Sequence, residues 1–231
     1  MAKLKPGKRY NADIKGWDPL SDSFTLEEAV AKIKAFKKTK FDQTVDICLL
    51  LGIDPKQADQ RVRSSISLPH GVGKQKRVIA FVGHDKVKEA KEAGAVEVGS
   101  DELVKKIEGG WMDFDVAVAT PDMMRVVSKL ARILGPRGLM PSPKSGTVTP
   151  KVGPTIKEYA AGKIEFRNDD YGNIHAPIGK QSFDQKTLLE NAQFIIDTIS
   201  KMKPATSKGE FLKKITLSAT MTPGVRVELG A

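Results

Sequence analysis

The side chains of this chain whose types could support catalysis, metal binding or phosphate binding are few: the paired carboxylates Asp169 and Asp170, the histidines His70, His84 and His175, the thiol Cys48 and the Gly-Lys pairs. A P-loop needs Ser or Thr directly after its Gly-Lys, because that hydroxyl holds magnesium. Here Lys8, Lys74, Lys163 and Lys180 are followed by Arg9, Gln75, Ile164 and Gln181. A dinucleotide loop must follow a strand and carry a third glycine, so that a helix N-terminus meets the pyrophosphate. Gly71-Val-Gly73 lacks that glycine and precedes the nearest strand pattern. The histidines share no helical spacing and there is a single cysteine, so neither a metal nor any other cofactor is expected. Asp169 and Asp170 fall in Asn168-Asp-Asp-Tyr-Gly-Asn173, where short acidic side chains serve chain reversal better than catalysis. These observations predict that the chain is not an enzyme.

Two segments have the composition to meet polyanions. Gly135-Pro-Arg-Gly-Leu-Met-Pro-Ser-Pro-Lys-Ser-Gly146 places Arg137 and Lys144 in a Gly/Pro framework. That loop would either present backbone donors and cations to phosphate or act as a rigid connector whose prolines lower the entropy of the unfolded chain. The first 16 residues carry Lys3, Lys5, Lys8, Arg9 and Lys15 against Asp13 and show no apolar period, which reads as a basic arm.

The elements that must position these residues follow from hydrophobic periodicity. Thr25-Leu-Glu-Glu28 has capping-box spacing and starts a helix with Leu26, Val30, Ile33 and Phe36 or Lys37 on one stripe. Thr44 to Ile53 alternates as a strand with Val45, Ile47, Leu49 and Leu51 on one face. Cys48, inside this apolar run, reads as a small buried hydrophobe in a reducing compartment. From Arg77 short strands (Val78 to Val82, Val96 to Val98, Val116 to Ala119) alternate with helices (Asp85 to Ala93, Ser100 to Ile107, Met123 to Leu134), the signature of a parallel sheet covered on both faces. Beyond Gly162, Lys163 to Arg167 and Ile174 to Ile178 read as a hairpin. A helix from about Asp184 to Met202 and strands Leu212 to Ala219 and Val225 to Leu229 follow.

Neither flank has enough elements for a core by itself. The fold expected is therefore α/β in class: an α+β outer domain from 1–67 and 159–231, with an antiparallel sheet and two helices, into which a three-layer, Rossmann-like α/β domain of 68–158 is inserted. Leu68-Pro-His-Gly-Val-Gly-Lys74 and Val152-Gly-Pro154 are the expected hinge sites. An apolar content of 40% with 29% charged residues is that of a globular protein rather than a disordered chain. The net charge of +10 favours a nucleic-acid partner. No apolar run approaches the roughly 20 residues of a membrane span, so no membrane association and a cytosolic location are expected.

Several strings, in order, carry a resemblance: Lys40-Phe-Asp-Gln-Thr-Val-Asp46, Leu51-Gly-Ile-Asp-Pro55, Ser67-Leu-Pro-His-Gly-Val-Gly-Lys74, Leu134-Gly-Pro-Arg-Gly-Leu-Met-Pro141, Lys163-Ile-Glu-Phe-Arg-Asn-Asp169, Ile174-His-Ala-Pro177 and Thr220-Met221. They resemble the bacterial form of the L-one family of large-subunit ribosomal proteins, and the match spans the chain. The resemblance implies a non-catalytic monomer within the ribosome whose outer domain grips an irregular helix junction of large-subunit rRNA and forms the mobile stalk near the tRNA exit site. It also implies assistance in release of deacylated exit-site tRNA and repression of the chain's own operon mRNA. Carried onto this sequence, the RNA-binding residues would be Lys40, Phe41, Arg167, Asp169, His175, Ser218, Thr220 and Met221, with Arg137 and Lys144 as secondary contacts. Such residue types suit a shallow RNA groove, where hydroxyls and carboxylates read ribose and cations meet phosphate. One position departs: the family has glycine after Thr-Met, and this chain has Thr222, so a side chain stands where bare backbone would approach RNA.

Overall fold

A computed structural model describes residues 7–57, 59–207 and 209–229; Lys3 and Lys5 of the expected basic arm lie outside them. The remainder of that arm departs from expectation. Lys8–Asp13 forms a short helix, α1, and the chain is then pinned by Trp17, which stacks on Phe36 and meets Phe24 edge-on with ring centroids 6.3 Å and 5.7 Å apart. Lys32 Nζ lies 4.0 Å from the Phe24 ring centroid, a cation held against an aromatic face. A single aromatic anchor leaves no periodic signal, which is why the segment reads as unstructured.

After β1 (Ser23–Phe24), helix α2 (Leu26–Ala35) starts on the expected capping box: Thr25 Oγ1 accepts from Glu28 N–H at 3.3 Å, and the Glu28 carboxylate accepts from Thr25 N–H at 3.0 Å. Its stripe Ala29, Val30 and Ile33 is buried, and of the two alternatives at its end Phe36 is buried and Lys37 exposed. Strand β2 (Thr44–Leu51) buries Val45, Ile47, Leu49 and Leu51, as its period-2 pattern predicts. β3 (Arg63–Ile66) has no counterpart in the sequence reading. There follow β4 (Val78–Phe81), α3 (Val87–Glu92), β5 (Glu97–Gly99), α4 (Asp101–Glu108) and β6 (Val116–Ala119). A helical run from Pro121 then alternates 3-10 turns with α5 (Met124–Val127) and α6 (Ala131–Leu134), and α7 (Val152–Ala160) comes after it. The chain closes with β7 (Ile164–Arg167), β8 (Asn173–Lys180), α8 (Gln185–Lys201), β9 (Leu212–Ala219) and β10 (Val225–Val227).

The chain divides into two compact units, Met1–Val62 with Leu68–Gly73 and Phe166–Ala231, and Arg63–Ser67 with Lys74–Glu165. In the first, the sheet order is β1-β10-β9-β2-β8, antiparallel except for the short parallel β1/β10 pair. α2 and α8 cover one face and leave the other open. The central strand β2 therefore pairs with two strands that arrive much later in the chain. The second unit is a three-stranded parallel sheet, β5-β4-β6, with α3 and α7 on one face and α4 and the 121–134 run on the other. Burial of all four β4 residues follows from cover on both faces. The α/β class and this three-layer arrangement agree with expectation.

Four details differ. The expected hairpin is only a reversal: β7 pairs with β3 and β8 with β2, so a single bridge, Asn168 to Ile174, joins the two arms. Val152-Gly-Pro154 is no hinge but the first turn of α7, where proline lacks a donor that would be unpaired anyway. Gly153 N–H donates to Glu89 Oε1 at 3.0 Å and ties α7 to α3. Residues 68–73, expected in the inserted segment, pack with the flanks instead. The buried Asn191 of α8 accepts from His70 N–H at 3.3 Å and donates to the carbonyls of Gly71 and Ile178 at 3.1 and 2.8 Å. Likewise, 159–165 belong with the inserted segment, since Tyr159 donates to the Ser145 carbonyl and is fully buried.

Candidate nucleic-acid interface

The open face of the first unit's sheet is built by strand alternation, which sends Val45, Ile47 and Leu49 toward the helices and Asp46, Cys48 and Leu50 away from them. Cross-strand register arranges the outward residues in rows. Pro177, Asp46 and Ser218 form one; His175, Cys48, Thr216 and Arg226 the next; Asn173, Leu50 and Lys214 a third. Cys48 is thus not the core hydrophobe expected of an apolar run but a half-buried thiol on the open face, and burial, then the charge of Asp169, pushes its pKa up. Burial also pushes the Asp46 carboxyl up, against the pull of His175 and Lys180.

One end of this face is organised around a buried amide. Gln43 donates to Gln181 Oε1 at 3.0 Å and accepts from Met221 N–H at 2.8 Å, which fixes the loop after β9 beside the segment before β2. Thr220 Oγ1 accepts from Thr44 N–H at 3.2 Å, Thr220 N–H donates to the Thr44 carbonyl, and Lys180 donates to the Thr44 hydroxyl at 2.7 Å. Thr39 Oγ1 donates to the Phe41 carbonyl at 2.6 Å; Phe41 and Met221 keep 52% and 54% of their surface exposed, and Lys40 is exposed as well. Arg9 of α1 donates to the Met221 carbonyl. Thr222 turns inward: its hydroxyl accepts from Ala219 N–H at 2.9 Å, so the residue that replaces glycine closes the turn and is half-buried rather than projecting over it.

The other end lies past His175. Asp169 accepts from the backbone N–H groups of Tyr171 and Asn173 at 2.9 and 2.7 Å and from the Asn173 side chain at 2.9 Å, closing the turn whose Gly172 has φ 84°. Burial raises the Asp169 carboxyl, but these three donors and His175, 3.8 Å away, outweigh it and hold the pKa below the ordinary value. Arg167 is exposed next to it. Thr44 and Leu51 are seven residues apart along β2, and Leu51 N–H donates to the Gly172 carbonyl of that turn, so the two ends are separated by about 23 Å at 3.3 Å per residue.

The structure therefore brings Lys40, Phe41, Ser218, Thr220 and Met221 to one end, His175 to the middle and Asp169 to the far end of one face, while Arg167 is exposed on β7, outside that sheet and two residues before Asp169. Arg137 and Lys144 belong to the other unit, exposed on a loop whose interior is tied by Thr147 Oγ1 to Ser142 N–H at 2.8 Å and by Tyr159 to Ser145. Sequence reasoning missed Gln43, Lys180, Arg226 and Lys214. Alternation in Leu212 to Ala219 already put Lys214 and Thr216 with Ser218, whereas Gln43 gave no local sign, its partners being distant in the chain. Among the described residues no group of three His, Cys, Asp or Glu is placed to hold a metal ion; the side chain of His84 is outside them. No helix among them is long and apolar enough to cross a membrane.

Residues 33–223 match the model of the ribosomal protein L1p/L10e family. The chain is 50% identical over 224 residues to the large ribosomal subunit protein uL1 of Kosmotoga olearia, covering 97% of this chain and 96% of that one. It is likewise 50% identical over 224 residues to the protein of the same name from Nitratidesulfovibrio vulgaris, covering 97% and 95%. With a family model over most of its length and relatives of that identity end to end, the chain belongs to the ribosomal protein L1p/L10e family.

Proposed function

We propose that this chain binds large-subunit rRNA through the open face of its discontinuous outer domain, that it forms the mobile stalk near the tRNA exit site and assists release of deacylated tRNA, and that it represses translation of its own operon mRNA through the same face. Family membership makes it a structural, non-enzymatic constituent of the large ribosomal subunit, located with the ribosome in the cytoplasm. The observation that carries the finer reading is the exposed pair Phe41 and Met221 with Lys40 and Thr220, in two segments that Gln43 and Thr44 bond together. An isolated exposed apolar side chain needs no explanation, but two flanking a hydroxyl and a cation on a chain of net charge +10 suit packing on ribose or base while cations meet phosphate. Ser218, His175 and Asp169 extend the same chemistry along the sheet, with Arg167 exposed beyond it on β7.

Filter binding of the full chain to large-subunit rRNA tests this. Met221→Asp is expected to weaken retention by tenfold or more, the ~1.4 kcal/mol scale of one lost buried contact, with the circular dichroism spectrum unchanged. Undiminished retention by a folded Met221→Asp protein would remove the surface from consideration.

A further inference from the structure

No Asp or Glu occurs between Asp122 and Glu158, the longest stretch of the chain without one. The first part of that stretch is the helical run Pro121 to Leu134, whose inner face is Val127, Leu130 and Leu134, all buried under the parallel sheet. Spacing then sends Arg125, Lys129 and Arg132, at i, i+4 and i+7, to the opposite face, where all three are exposed together with Ser128. At roughly 1.5–2 Å of rise per residue for mixed α and 3-10 turns, the three cations span about 10–14 Å. Arg137 follows on the exposed Gly-Pro-Arg-Gly turn.

The same unit satisfies other cations with carboxylates. Arg63 pairs with Glu165, Lys74 and Arg77 with Asp115 and Asp113, Lys106 with Glu97, and Lys163 with Glu158. None of these ion pairs includes Arg125, Lys129 or Arg132, and the nearest acid in sequence, Asp122, is at the start of the run. An uncompensated row of like charges costs folding stability through repulsion, which a bound polyanion offsets. The row is one-dimensional and runs along helical turns rather than a loop, and their inner face is anchored by core residues. A linear array of fixed positive charges without adjacent aromatic or apolar anchors matches a phosphodiester backbone rather than bases.

We propose that the inserted unit carries a second RNA-binding surface, the ridge Arg125, Lys129 and Arg132 continued by Arg137, which takes the backbone of base-paired RNA without reading its sequence. This surface is on a different unit from the sheet face assigned to rRNA above and does not depend on that assignment. Three arginines permit bidentate phosphate contacts that a lysine row would not make.

The test titrates the full-length chain with a labelled RNA duplex of about 16 base pairs that has no bulge or junction, the span a backbone-reading domain covers. Arg125→Gln/Lys129→Gln/Arg132→Gln is expected to weaken duplex binding by about tenfold or more near physiological salt, and to flatten the slope of log affinity against log salt by about one per cation removed. Gln keeps helix propensity close to that of Arg and Lys and relieves the repulsion within the row, so thermal unfolding should occur at the parent temperature or above it, and a folding defect is read out separately as a lower one. Arg125→Lys/Arg132→Lys should retain most of the salt slope. Met221→Asp reads the sheet face alone, and the two proposals therefore fail separately. Duplex affinity and salt slope equal to wild type in the triple variant would overturn the ridge. Loss of binding to poly-glutamate with duplex binding intact would overturn it in favour of an acidic protein partner.

Discussion

Asp46 shows how a single residue on the open face is tuned by its neighbours. It lies in register with Pro177 and Ser218, where partial burial raises its pKa and His175 and Lys180 oppose that rise. A carboxyl whose pKa is higher in the folded than in the unfolded chain opposes folding when ionised, and protonation relieves this as pH falls through the folded value. Asp46→Asn is accordingly expected to be more thermostable than the parent at neutral pH, with the advantage shrinking on acidification. Parallel melting curves across that pH range would contradict this. Asp169 has the opposite sign: its depressed pKa stabilises the turn above the ordinary carboxylate range and that contribution is lost as pH falls below it. The two acids separate a turn-building carboxylate from one whose cost is tolerated on the face, a distinction that Asp169-Asp170 and Thr44-Val-Asp46 do not disclose as strings.

At the scale of elements, the quoted motifs divide by what they touch. Gly52 of Leu51-Gly-Ile-Asp-Pro55 is there because a Cβ would overlap the Glu210 carbonyl oxygen, while its own N–H donates to the Phe211 carbonyl at 2.7 Å. Pro69-His-Gly71 is held by Asn191 of α8, which accepts from the His70 N–H and donates to the Gly71 carbonyl. Asn191→Leu keeps the volume but leaves His70 N–H and the Gly71 and Ile178 carbonyls without that partner. It should cost about 1–3 kcal/mol in denaturant unfolding and release amide protection first at 68–73; full stability would show the amide to be dispensable. α2, β2, the three parallel strands and α8 were legible because period and caps are local signals. α1, β3 and α7 were not: a lone Trp17 anchors the first, distant pairing makes the second, and Val152-Gly-Pro154 disguised the third. The candidate site was legible through its strings, yet the amide that aligns it, Gln43, takes its partners from 181 and 221 and leaves no trace near position 43.

At the scale of the whole molecule, one compact unit is interrupted by another, and the strand that suffers most from the interruption is β2. Both of its neighbours, β8 and β9, begin only at Asn173 and Leu212. During synthesis, then, the nascent chain exposes an apolar strand with two unpaired edges for as long as it takes to translate everything up to the C-terminal flank, and such edges invite misassembly. The parallel sheet β5-β4-β6, complete by Ala119, has its partners in hand much sooner. A chain cut after Glu165 should therefore keep slow amide exchange in β4 and β6 and show none in β2, and it should aggregate through that strand. Protection of β2 in the truncated chain would show that the late segments are not needed to order it. If the expectation holds, the interior placement of one unit within the other sets a vectorial order of maturation in which the proposed rRNA-binding face is the last part of the protein to come into existence.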